Sequence, residues 1–180
     1  EYTSEQFRVW GGFTDGINTQ NTAWAGSGEA DWALNARAEF KAMGNSWERF
    51  DDFTSWRSAE DMGLIIGAAI WYQQRGGDTG GVPDENDILL YTIDAQVEGK
   101  GWNAFGAFYG GSTDNVDPDV SDTDNFGAVI QGGIFVTDQV ELFGRWDAIF
   151  WDSAIVDGAG DSADDNNFFT AEARVAEFAE

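Results

Sequence analysis

Cysteine and histidine are absent from this 180-residue chain. Without cysteine there is no disulfide framework and no thiol chemistry. Without histidine the commonest general base and transition-metal ligand is missing, and Ser-His hydrolysis with it. Proline occurs twice. Basic residues number nine against 33 acidic ones, a formal net charge of −24. Such a chain is repelled by nucleic acid, which excludes that class of partner, and attracts cations. No apolar run approaches the about 18 residues of a membrane-spanning helix. No signal peptide is present, which a processed secreted chain would have lost.

What is abundant is glycine, with 23 residues, and aromatic side chains at 15%, nine of them tryptophan. That aromatic content argues against the disorder that high net charge would otherwise suggest. Glycine and aromatics with little proline suit many strands joined by turns. Period-two alternation predicts eight strands. They are Ser4 to Thr14, Asp31 to Ala42, Gly63 to Gln74, Asp87 to Glu98, Trp102 to Gly111, Phe126 to Val136, Val140 to Trp151 and Phe168 to about Phe178. The second is clearest: Leu34, Ala36, Ala38 and Phe40 alternate with Asn35, Arg37, Glu39 and Lys41. In the fifth both faces are apolar, and its sidedness stays open.

Gly99-Lys100-Gly101 and Thr137-Asp138-Gln139 read as tight hairpin turns. The polar stretches Asp15 to Ala30, Arg75 to Asn86, Ser112 to Asn125 and Asp152 to Asn167 read as long loops at the opposite end. Short turns at one end and long loops at the other characterise outer-membrane barrels. By parity, residues 43–62 form a connection on the periplasmic side, where the spacing of Phe50, Phe53 and Trp56 suits a short helix packed on the barrel rim or plugging its mouth. Alternation alone does not separate a membrane barrel from a soluble one, whose faces are inverted. Two features favour the membrane. Strand lengths of about 10 to 12 residues suffice to cross when tilted. Aromatics pair at strand ends (Trp10 and Phe13, Trp32 and Phe40, Trp71 and Tyr72, Trp102 and Phe108, Trp146 and Trp151, Phe168 and Phe169), as in interfacial girdles. The expectation is an all-β, antiparallel up-and-down transmembrane barrel of about eight strands in one domain, residues 1–180, in a bacterial outer membrane.

The charged sides of those strands nominate a pore lining: Arg8, Asn35, Arg37, Glu39, Lys41, Asp94, Gln96, Glu98, Glu141, Arg145, Asp147, Glu172 and Arg174. Mixed charges on neighbouring strands either set up a transverse field across a constriction or simply pair across strands. The acidic stretch holding Asp114, Asp117, Asp119, Asp122 and Asp124 offers alternating carboxylates to Ca²⁺, though it lacks the glycine and closing Glu of an EF-hand; a solvated acidic loop is the alternative. No catalytic constellation emerges, and the expectation is a channel rather than an enzyme, since carboxylate pairs could be proposed anywhere in so acidic a chain.

Four stretches resemble the C-terminal half of bacterial phosphate-selective porin O/P family proteins. They are Phe7-Arg8-Val9-Trp10-Gly11-Gly12-Phe13-Thr14-Asp15-Gly16-Ile17-Asn18, Arg49-Phe50-Asp51-Asp52-Phe53-Thr54-Ser55-Trp56, Val97-Glu98-Gly99-Lys100-Gly101-Trp102-Asn103-Ala104-Phe105-Gly106-Ala107-Phe108-Tyr109, and Gln131-Gly132-Gly133-Ile134-Phe135-Val136-Thr137-Asp138-Gln139-Val140-Glu141-Leu142-Phe143-Gly144-Arg145-Trp146. The resemblance implies a barrel of about sixteen strands, commonly trimeric, that passes small hydrophilic solutes or ions passively. The chain would then be part of a larger barrel and a homo-oligomer in contact with outer-membrane lipid. Its end departs from the family: Phe178 is followed by Ala179 and Glu180, where such barrels finish on an aromatic residue. With so few basic residues, the phosphate preference in the family's name does not transfer; the expectation is a mild cation preference. The competing readings are a structural surface barrel that packs into arrays and a soluble ligand-binding barrel.

Overall fold

Alternation becomes a ladder of strands in the computed structural model, which describes residues 1–14, 16, 30–57, 61–75, 86–115, 121–152 and 164–175. The strands are β1 (Tyr2–Thr3), β2 (Phe7–Thr14), β3 (Ala30–Met43), β4 (Gly63–Arg75), β5 (Asn86–Gly99), β6 (Trp102–Asn115), β7 (Thr123–Phe135), β8 (Val140–Phe150) and β9 (Asn166–Val175). They form one antiparallel sheet in simple chain order, each strand bonded to its sequence neighbour, and β1 and β9 are its unpaired edges among the described residues. The expectation of eight strands is thus corrected to nine. Ser4, Glu5 and Gln6 are a turn rather than strand, because the Ser4 hydroxyl accepts the Phe7 N–H at 3.0 Å and reverses the chain between β1 and β2.

Two other boundaries differ from the alternation reading. β6 runs on to Asn115 and β7 starts at Thr123, since Ser112 pairs with Asp124 and Thr113 with Thr123 beyond the last apolar residues. Among the described residues of the 43–62 connection, only Glu48–Phe50 is helical, as one turn of 3-10 helix. The tight turns are as expected. Gly101 takes φ 76°, which a side chain would resist, and closes the two-residue link between the paired Gly99 and Trp102. Thr137 Oγ1 accepts the N–H groups of Gln139 and Val140 at 3.2 and 3.0 Å in the next. The stretches 17–29, 76–85 and 153–163, most of three expected loops, lie outside the described residues, as does the expected end of the last strand at Phe178.

The register puts every charge in the middle of the sheet on one face. The other face presents Phe7 to Phe13 on β2, Leu34 to Phe40 on β3, Leu64 to Tyr72 on β4, Leu89 to Val97 on β5, Trp102 to Gly110 on β6, Phe126 to Ile134 on β7, Val140 to Phe150 on β8 and Phe169 to Ala173 on β9, counting alternate residues. None of those alternate residues is charged. Asp87, Asp114, Asp124 and Asn167 mark the band's edge at the end of the long connections. Ile93, Ile130, Ile134 and Phe169 on this face are more than half exposed, while Glu98 and Glu141 on the other are 2% exposed. Several charged side chains are thus buried while large apolar ones on the other face are bare, which is unusual for a soluble domain, although Ile65, Phe135 and Phe143 on the charged face are buried too.

The apolar band crosses the sheet obliquely. Register neighbours of Phe7, its lower end on β2, run through Phe40, Ile66, Ala95, Gly106, Ile130 and Trp146 to Phe169, its upper end on β9. The band therefore slips by the six residues between Phe7 and Phe13 over seven strand-to-strand steps. At about 3.4 Å per residue and about 4.8 Å per strand, that inclines it by roughly 30° to the perpendicular of the strands.

Candidate functional site: the charged face

All thirteen residues nominated from the alternation share the charged face. Across β2 to β5 they form one chain of ion pairs. Arg8 Nε meets Glu39 Oε2 at 2.6 Å, and Arg37 Nε meets Glu39 Oε1 at 2.9 Å. Arg37 then donates Nη1 and Nη2 to the two Asp94 oxygens at 2.6 and 2.7 Å, a bidentate fork. Arg37 is on β3 and Asp94 on β5, so the fork passes over β4. It does so at Gly67, the register neighbour of both Glu39 and Asp94, where an added Cβ would stand 2.7 Å from Asp94 Oδ1. The missing side chain makes room for the bridge.

The same device recurs. Asn103 on β6 donates to Glu141 on β8 at 2.8 Å across β7 at Gly133, where a Cβ would lie 2.9 Å from Asn103 Nδ2. Gly63 on β4 leaves space for Arg49, whose Nε is 3.4 Å from Glu98. Toward β8 and β9 the pairing becomes local. Arg145 forks onto Asp147 two residues along its own strand, at 2.7 and 2.6 Å, and reaches Gln131 at 3.1 Å. Arg174 meets Glu172 at 3.2 Å and lies over the Phe143 ring. Asn35 sits beside Gly12. Lys41 points its ammonium at the Trp47 ring, 5.1 Å from the centroid.

Residues 44–57 lie over this face at the short-turn end. Phe53 packs edge-on against Phe105 and Trp56 against Phe135. Ser55 Oγ donates to the Gly99 carbonyl, and Gln96 donates to the Asp52 carbonyl at 2.6 Å and to Glu98 at 2.8 Å. Trp47 donates its indole N–H to the Ser4 carbonyl at 2.9 Å and carries Arg8 on its ring. A polar recess of about 540 Å³ remains between this segment and Glu98.

Sequence reading missed Asn103 and the aromatics of this face. Asn103 belongs to the strand whose two faces are both apolar, and only its pairing with Gly133 settles its side. Strict alternation splits some of the expected aromatic pairs, while Trp102 and Phe108 share the apolar face. Phe13 and Tyr72 are on the apolar face, but Trp10 pairs with Arg37 and Trp71 with Asn35 on the charged one. A run of rings does follow the upper edge of the apolar face: Phe13 on Trp32 at 6.5 Å, Trp32 on Tyr72 at 5.3 Å, Tyr91 on Phe108 at 6.4 Å and Phe108 on Phe126 at 6.0 Å. Trp32 and Tyr72 turn their polar ends to Gln74 and Asp87 at 2.9 and 2.7 Å.

Of the aspartates nominated for Ca²⁺, Asp117 and Asp119 lie outside the described residues. Asp122 is engaged by the Asn115 N–H at 2.7 Å, and the described residues contain no group of three or more carboxylates placed to hold a metal. No helix among them is long and apolar enough to cross a membrane, which says nothing of strands. No family model, curated protein or solved structure matches this chain.

Proposed function

We propose that this sheet is part of the wall of a porin-type barrel in a bacterial outer membrane, passing small hydrophilic solutes or ions through a water-filled channel without covalent chemistry. The observation that carries the reading is the oblique, uncharged, exposed apolar band opposite a face of paired charges. A membrane barrel needs that inversion, because lipid meets the outside and water the lumen. Its strands tilt by about 35–45° to the barrel axis, near the slant of the band. Along β5 the band from Leu89 to Val97 is about 27 Å long and, once tilted, covers about 20 Å of a hydrocarbon-facing belt of about 25 Å. Rings at its edge with their polar ends turned outward suit a membrane interface. The edges at β1 and β9, unpaired among the described residues, fit the larger barrel that the porin O/P resemblance implies.

A second reading, a structural surface barrel, draws support from the 44–57 segment lying across one end of the charged face. Planar-bilayer recording of the full-length protein separates the two. Ohmic steps are expected. A correctly inserted barrel that never conducts favours the structural reading, and a monomer that stays soluble without detergent overturns both.

A further inference from the structure

Among the described residues, the charged face carries a hollow whose walls are mostly apolar, with Arg37 the one charged residue in its lining. It measures about 470 Å³ and is lined by Trp10, Trp71, Leu90 and Tyr109, with Asn35 and Thr92 among its polar groups. Small residues open it: Ala69 separates Arg37 from Thr92 in one register row, and Gly111 follows Leu90 in the next. Tyr109 leans away onto β7, where a Cβ on Gly127 would stand 2.6 Å from its hydroxyl. Leu90 and Tyr109 are each more than a third exposed, on the face that carries the sheet's charged residues. A concave apolar patch with a few polar groups is the common form of a small-molecule site.

Three observations narrow the occupant. The Trp71 indole N–H is buried without a hydrogen-bond partner, so the occupant brings an acceptor. Arg37, the charge at the rim, has its fork closed on Asp94 and its Nε on Glu39, which leaves no free cation to hold an anion. Rings and Leu90 meet apolar C–H surface, while Asn35 offers an amide that can both donate and accept. A neutral molecule with C–H faces and a rim of hydroxyls meets all three conditions.

We infer that this hollow is a stacking subsite for a neutral saccharide ring, which rests on the reading of the charged face as the wet side of a pore. The probe is maltotriose, added to the full chain in detergent micelles and followed by tryptophan fluorescence, with a polyethylene glycol of equal size and benzoate as comparisons. Saturable binding of maltotriose and not of the glycol is expected. Trp71→Phe keeps a ring and removes the N–H, and should weaken binding about fivefold, one neutral hydrogen bond. Tyr109→Ala should weaken it about tenfold through lost stacking area. Trp146→Phe, on the opposite face, should leave it unchanged. Absence of saturable binding, tighter binding of benzoate, or equal binding by wild type, Trp71→Phe and Tyr109→Ala would overturn the subsite. Because micelle binding needs no conduction, a conducting channel that does not bind maltotriose sinks the subsite alone. Binding that depends on Trp71 and Tyr109 supports it whether or not ohmic steps are seen.

Discussion

The two halves of the charged face solve the same problem differently. Between β2 and β5, arginines also reach across strands: Arg8 takes Glu39 on β3, which Arg37 meets along its own strand, and Arg37 spans β4 to Asp94. Between β7 and β9, each arginine takes the carboxylate two residues along its own strand. The cross-strand network is more sheltered, with Glu39 and Asp94 at 6 and 10% side-chain exposure against 21 and 50% for Asp147 and Glu172. A bridge over an intervening strand ties three strands together and depends on a glycine beneath it. A same-strand pair neutralises charge without itself joining strands; Arg145 reaches β7 only through its hydrogen bond to Gln131.

Gly67→Ala tests the difference where the largest effect is expected. Its Cβ collides with the Arg37–Asp94 fork, and unfolding in micelles should show a loss of about 2 kcal/mol from overpacking and a half-broken pair. Gly144→Ala, on the apolar face with nothing within 4 Å, should change stability by less than about 0.5 kcal/mol. If the two variants melt alike, the bridge over β4 contributes nothing. Gly133→Ala is expected to cost about 1–2 kcal/mol, since it takes the Asn103 donor from the buried Glu141. Arg145→Gln should cost no more than about 1 kcal/mol, the value of an exposed pair; a loss matching that of Gly67→Ala would erase the distinction between the halves.

The smallest effect concerns selectivity. On the charged face, Glu39, Asp94, Glu98, Glu141, Asp147 and Glu172 are nearly balanced by Arg8, Arg37, Lys41, Arg145 and Arg174. The imbalance of the whole chain lies elsewhere, and fields from exposed loops are screened over about 8 Å at physiological salt. Reversal potentials across KCl gradients should show a mild cation preference in dilute electrolyte that fades as salt rises and falls further with added divalent cations. Anion preference at both mean concentrations would mean that the basic residues Arg8, Arg37 and Lys41 dominate the field despite their partners.

Period-two alternation made the strands and the thirteen charged-face residues legible, because a residue's face depends only on its neighbours along the chain. What stayed hidden depends on neighbours across the sheet. The sidedness of Ala104 to Tyr109 is settled by Tyr91 filling the space beside Gly110 and Tyr109 the space beside Gly127. Nothing in the local sequence of Gly67 separates it from a turn glycine; its role appears only when Arg37 and Asp94 are brought to either side. Adjacent rings such as Trp71 and Tyr72 looked like one girdle and are on opposite faces, since successive side chains of a strand point opposite ways.

The segment over the short-turn end also bears on the order of assembly. A sheet in which each strand bonds to the one before it can grow by adding hairpins, with small loop-closure costs at every step. Residues 44–57 break that locality. Ser55 waits for Gly99, Trp56 for Phe135, and Arg57 for Asp138, 81 residues further on, which it meets at 3.4 Å. The segment is fastened early at its start, where Trp47 donates to the Ser4 carbonyl, yet its far end at Trp56 and Arg57 lacks these two partners until β7 and its turn are in place. That end therefore settles later than the rest of the segment, and slow protection of its backbone amides during refolding would record the moment when β7 has joined the sheet.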